Sequence, residues 1–249
     1  MNFQEAEQIG SAKKENIVSS LVFNIIIPVV ILSQLSAHEF FGPVTALILA
    51  ILFPLAYGLY DFSFKKKKNF IAILGFASIL LTGLIGLMKF PPEMIAVKEA
   101  AVPFVIGVVN LVSVGTSYPL IKIFIYNKEL MDVERIDKIL EEDNKHVDFE
   151  KLIARASALL SGSFFFSAAL NYIVARIIVT GLPGTVQFNA DLGKMALIHL
   201  PVIAVPCTLI TGLIFWYLLS SVKKLTNLPA KELFSEKLKA SLKEDAENI

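Results

Sequence analysis

The sequence predicts an all-α, polytopic membrane protein with six transmembrane helices and both termini in the cytoplasm. Three observations predict it. Of the 249 residues, 55% are hydrophobic and only 18% are charged, with a mean hydropathy of +0.66; a water-soluble domain of this size needs a more polar surface. The apolar residues are gathered into runs of about 20, the length that crosses a hydrocarbon core of about 30 Å at about 1.5 Å per residue. The basic residues sit in alternate connecting segments rather than in all of them.

The elements follow in order. Residues 1–16 are polar, and Lys13 and Lys14 lead into the first apolar run, 17–35. That run is too long for the core of a signal peptide and is preceded by Glu5, Glu7 and Glu15, so it reads as a retained span. The turn Ser36-Ala-His-Glu39 leads to the second span, 40–60, and then to the loop 61–69 with Lys65, Lys66, Lys67 and Lys68. The third span, 70–88, ends at Lys89 and at Pro91-Pro92, which cannot continue a helix. The fourth, 94–116, is apolar except for Lys98, Glu99 and Asn110.

A cytoplasmic segment, 117–155, separates spans four and five. Its first part, 118–126, mixes aromatic and aliphatic residues around Lys122 and is expected at the bilayer interface. Its second part, 129–143, carries Val133, Ile136 and Leu140 at helical spacing among charges, the pattern of a short amphipathic helix. The fifth span is 156–180. Gly181-Leu-Pro-Gly184 breaks it and opens a polar loop expected to run to Lys194. The sixth span is 195–222. The domain organisation is then one six-helix transmembrane domain, 1–222, and a charged tail, 223–249, with a helical pattern through Leu233, Leu238 and Leu242. Runs this long without period-2 alternation exclude a β-barrel.

Orientation follows from charge. With the amino terminus inside, nineteen of the 23 lysines and arginines are cytoplasmic, and only Lys89, Lys98, Arg176 and Lys194 lie outward. The reverse topology violates the positive-inside rule. A five-span alternative, with the Lys98/Glu99 segment lying on the surface, would send the six basic residues of the tail outside.

Polar residues inside the spans are the candidate site. An intramembrane charge is costly unless it pairs or meets water, so Lys98 and Glu99 stand out. Glu99, Pro103, Asn110 and Ser113 share one helical face; that face either lines a cavity or is the packing seam of a snorkelling Lys98 and a paired Glu99. Asn171, Arg176 and His199 fall in the same outer layer, with Arg176 a possible counter-charge for Glu99. Ser163, Ser167 and Asn171 form an i, i+4 stripe suited to interhelical hydrogen bonds. Asn24, Tyr57 and Asp61 form an inner layer with Asn110. Pro28, Pro54, Pro201 and Pro206 interrupt the helical ladder, a device that transporters use near midplane sites.

Other chemistries find no support. Three scattered histidines and the single Cys207, read as a small buried hydrophobe, offer no metal or haem ligation pattern. There is no phosphate-cradling glycine loop and no Ser/His/Asp grouping. No enzyme activity, cofactor or metal is therefore expected, and charge sorted by membrane side rather than gathered on one face leaves no nucleic-acid surface.

Several stretches carry a family resemblance: Phe53-Pro-Leu-Ala-Tyr-Gly-Leu-Tyr-Asp61 before the basic loop, Asn69-Phe-Ile-Ala-Ile-Leu-Gly-Phe76, Leu81-Thr-Gly-Leu-Ile-Gly-Leu87, Lys98-Glu-Ala-Ala-Val-Pro103, and Leu170-Asn-Tyr-Ile-Val-Ala-Arg176 before Pro183-Gly-Thr185. Together they resemble a family of bacterial inner-membrane proteins labelled as similar to intracellular septation protein A, and also as transporters. The resemblance runs from span one to span six and implies a bacterial inner-membrane location; it implies no particular binding residues. Two functional expectations stand. One is a transporter of a small polar solute or ion, with Glu99, Lys98, Asn110, Asn171, Arg176, His199, Asn24, Tyr57 and Asp61 lining its cavity. The other is a non-transporting scaffold of envelope growth or septation that works through 117–155 and the tail, with envelope proteins or further copies of itself as partners.

Overall fold

The computed structural model describes residues 22–39, 41–65, 70–116, 119–124 and 126–247. Among these, all regular structure is helical apart from one isolated antiparallel bridge, Met131 to Phe234. The first helix, α1 (22–35), is composite. A single α-helical turn, Ile27–Val30, holds Pro28 and is flanked by wide π turns, Val22–Ile26 and Ile31–Leu35. Proline has no N–H to donate and its ring displaces the carbonyl four residues back, so the ladder widens around it. Helix α2 (Gly42–Lys65) starts at Gly42, whose φ of 66° lies in the left-handed region. Helix α3 (Phe70–Leu87) ends where the sequence predicts. Lys89 turns left-handed at φ 56°, and the Phe90 N–H reaches back to the Ile85 carbonyl at 3.0 Å, a Schellman-type stop.

Helix α4 (Glu93–Ser113) is followed by the short α5 (Leu120–Phe124), α6 (Val133–Glu142) and α7 (His146–Ile178). The last long helix, α8, runs without a break from Val186 to Thr226. A turn at Ala230–Glu232 and helix α9 (Glu236–Glu247) complete the described chain. Among the described residues, four helices have the length and apolarity to cross a membrane: Gly42–Leu59, Glu93–Ser113, His146–Ile178 and Val186–Thr226. In α3, Phe70–Leu87, the apolar stretch whose side chains are described is Ala77–Leu87. Leu52, Val105, Ile177, Leu209 and Leu213 all face outward. Water penalises such a surface and lipid does not. The composition of these outer faces is compatible with an integral membrane protein.

Two differences from the sequence expectations have local causes. The polar loop expected to reach Lys194 stops at Thr185, whose hydroxyl caps the first turn of α8 by accepting the Phe188 N–H at 3.2 Å. Leu233, expected within a helix of the tail, lies before it; α9 begins after Ser235, whose hydroxyl accepts the Leu238 N–H at 3.2 Å.

The chain forms two compact units, Met1–Val102 with Ala168–Ala204 and Pro103–Ser167 with Val205–Ile249. In the first, the small-residue face of α2 is buried at Ala46, Ala50 and Pro54. Gly86 of α3 meets Leu47 and Phe188 there, so closely that an added Cβ would make the end of the Leu47 side chain shift. In the second, residues from α5, α6, the start of α7, the end of α8 and the tail share one core. Ile121, Met131, Ile136, Leu140, Phe149, Leu218, Val222 and Leu233 meet in it. Ile121 is thus part of a protein core, where the sequence suggested a bilayer interface.

This headpiece is closed by the tail. Asp132 N donates to Leu233 O at 2.9 Å, Ser235 N to Leu130 O at 3.0 Å, and the Ser235 hydroxyl to Glu129 O at 2.6 Å. Arg135 pairs with Glu232, and Lys145 Nζ donates to Leu225 O at 2.8 Å. Asp132 caps α6. The Tyr126 ring packs against that of Phe149, tilted by 54° with centres 4.8 Å apart, and its hydroxyl donates to Asp137 at 2.8 Å. Burial, and next that bond to Asp137, push the Tyr126 phenol well above its usual range.

Two outcomes follow. Leu233→Ala removes a wholly buried side chain and is expected to destabilise the headpiece by about 2–5 kcal/mol, measured as faster limited proteolysis of 127–145 in the detergent-purified protein. The raised Tyr126 value means that the folded headpiece keeps a proton that the unfolded chain loses above about pH 10. Headpiece stability is therefore complete below that pH and falls as pH rises beyond it, and Tyr126→Phe flattens the alkaline slope of a thermal-unfolding series.

Candidate functional site

The polar residues of the spans are held in separate clusters. In the first unit, Pro91-Pro92 sets the start of α4 and places Lys98 and Glu99 about a turn and a half along it. The Lys98 ammonium does not snorkel outward. It donates to Thr82 Oγ1 at 2.8 Å and Ser78 Oγ at 3.1 Å on α3, and it pairs with Glu99. Ser78 and Thr82 are one helical turn apart, and Thr82 Oγ1 also donates to the Ser78 carbonyl at 3.1 Å. Each ammonium proton has an acceptor. The Lys98 side chain is only 7% exposed, whereas that of Glu99 remains 25% exposed.

Arg176 does not reach Glu99. Its guanidinium pairs at 2.9 Å with Glu93, in the first turn of α4. The outer layer therefore holds two independent ion pairs. Asn171 is buried on α7. His199 is exposed on α8, at the start of the π-helical turn His199–Ala204 that precedes Pro206. That turn keeps the helix continuous where Pro201 and Pro206 suggested an interruption. Tyr57 stacks on Phe23 with ring centres 5.6 Å apart. The side chains of Asn24 and Asp61 lie outside the described residues.

Asn110 belongs to the second unit. Its amide donates to the Ser157 carbonyl and to Ser161 Oγ, both at 2.8 Å, so α4 is bonded across to α7. Ser113 donates to the Asn110 carbonyl at 2.7 Å and accepts the Leu120 N–H at 3.0 Å, which closes the turn into α5. Ser157 and Ser161, rather than the Ser163/Ser167/Asn171 stripe, supply the partners for Asn110. Asn110 Oδ1 and Ser157 Oγ are themselves buried without a hydrogen-bond partner.

Two further buried polar residues escaped sequence reasoning because they sit in the supposed outer loop. Asp191 accepts N–H bonds from Gly181 at 2.9 Å, Thr180 at 3.1 Å and the Gln187 side chain at 2.6 Å, tying the turn after α7 to the first turns of α8. An added Cβ on Gly181 would come within 2.5 Å of the Phe188 nitrogen, so only glycine fits there. Asn189 donates to Ser36 Oγ at 2.8 Å and to the Pro43 carbonyl at 2.7 Å, which fixes the turn between α1 and α2. Their signal was helical spacing from Thr185 onward, with Phe188 and Leu192 four apart.

Among the described residues, no three His, Cys, Asp or Glu side chains stand together as a metal site. Chemically, these clusters neutralise charge and lock helix to helix. Compared with protein-family models, with curated proteins and with solved structures, the chain matches none.

The Lys98–Glu99 pair gives an ordered expectation. Removing one member of a buried pair strands the other charge, whereas removing both does not. Lys98→Met is therefore expected to lower the thermal aggregation midpoint in detergent more than Lys98→Met combined with Glu99→Gln; equal losses contradict the pairing.

Proposed function

We propose that this chain is a bacterial inner-membrane protein of six spans with both termini in the cytoplasm, whose membrane helices present a folded headpiece as a docking scaffold in envelope growth or septation. One observation carries the proposal: the segment after α4 and the tail after α8 fold onto one shared core. Two segments that share a core lie on one side of the bilayer, so α7 and α8 between them cross it as a pair. The basic residues assign that side to the cytoplasm by the positive-inside rule. The family resemblance supports the inner-membrane location and the envelope partners.

Scaffolding is favoured over transport by how the intramembrane polar groups are spent. Lys98 is committed to Ser78, Thr82 and Glu99, Arg176 to Glu93, and Asn110 to Ser157 and Ser161. Transport of a small polar solute or ion is the second reading. It is favoured by the Glu99 carboxylate, which stays a quarter exposed inside a candidate span.

The two readings part in one experiment. In a Cys207→Ser background, Asn110→Cys and Glu99→Cys are treated with a water-soluble maleimide from each side, and Glu99→Gln and Leu233→Asp separately replace the native copy in cells. The scaffold reading expects position 110 to stay unlabelled and a growth or division defect from Leu233→Asp alone. Labelling at 110, with a defect confined to Glu99→Gln, overturns it in favour of transport.

A further inference from the structure

The second half of α8 has two unlike faces. Ile214, Leu218 and Val222 are buried at a spacing of four, the last two in the headpiece core. On the opposite side Leu209, Leu213 and Trp216 are exposed, Trp216 at 67%. Continued at helical spacing, this outward stripe passes Ser220 and ends in Lys223 and Lys224, which are exposed and make no ion pair among the described residues. From Trp216 to Lys223 the helix rises about 10 Å. Tryptophan favours the boundary between hydrocarbon and headgroups, and lysines about 10 Å further out stand among the headgroups themselves.

We infer that this face of α8 is a binding site for an anionic phospholipid, with the acyl chains along Leu209, Leu213 and Trp216 and the headgroup phosphate on Lys223 and Lys224. Charge complementarity names the occupant. Two uncommitted ammonium groups at the end of a lipid-facing apolar stripe match a phosphate attached to acyl chains, whereas a zwitterionic headgroup offers them no net charge. Leu218 and Val222, on the other side of the same turns, belong to the headpiece core, so a lipid bound here would sit directly behind the headpiece. The inference rests on the membrane placement proposed above.

Trp216 is the only tryptophan in the chain, so its fluorescence reports on this face alone. The intact protein is reconstituted in phosphatidylcholine vesicles that contain a minor fraction of phosphatidylglycerol brominated on its acyl chains. In parallel it is reconstituted with the same fraction of brominated phosphatidylcholine. The expected result is stronger quenching by the anionic lipid, equivalent to a relative binding constant of about fivefold or more, which returns to about one in the Lys223→Gln/Lys224→Gln variant. Equal quenching by the two lipids, or a preference unchanged in the variant, overturns the site while leaving the membrane placement intact. Absence of quenching by either lipid overturns the placement as well, because Trp216 then does not face lipid.

Discussion

Inside hydrocarbon a polar group has only its own chain to bond to, and the packing of this protein is organised around that constraint. Lys98 shows it most plainly. Its ammonium cannot stay unpaired, and so α4 is held against the one face of α3 that carries two hydroxyls a turn apart. Asn110 does the same for α4 and α7 through Ser157 and Ser161. Asn189 and Asp191 tie the first turns of α8 to loops that have no helical bonds of their own. Apolar side chains fill the space between helices, but they fit many registers nearly equally well in lipid. The polar contacts select one.

The parts of the fold legible in the sequence are those governed by local physics. Length and apolarity marked the four long apolar helices, Pro91-Pro92 marked the end of α3, and the spacing of Ile136 and Leu140 marked the buried face of α6. The parts that were not legible depend on who meets whom. Arg176 has Glu93 and Glu99 as candidate partners in the same outer layer, and nothing local decides that it takes Glu93. The choice of Ser157 and Ser161 over Ser163 and Ser167 turns on helix rotation, which composition does not encode. Leu233 reads as one leucine of a charged tail, and its burial comes from pairing with Leu130 to Asp132, about a hundred residues earlier. Thr185 was a different kind of miss: a helix cap hidden in a stretch whose polar residues suggested a loop.

The headpiece and the spans draw on different driving forces. The headpiece core gains from removing apolar side chains from water, which is why it gathers Ile121, Met131, Ile136 and Leu233 completely. The spans have no such gain between helices, and their outer leucines and valines remain outside. Helix α7 takes part in both. Its 33 residues extend about 50 Å, more than a bilayer core requires, and the surplus at its amino-terminal end is what the headpiece packs against.

The wide turn at His199–Ala204 has a consequence for phase. A wide turn holds more residues than an α-helical one, so the side chains after it leave the helix at an angle that a run of regular turns would not give. Removing one residue from 199–204 can restore regular turns and so turn the rest of α8 by less than the loss of a residue elsewhere in the helix. Apart from Ile203, no side chain of this turn is buried, so its length rather than its composition sets that angle.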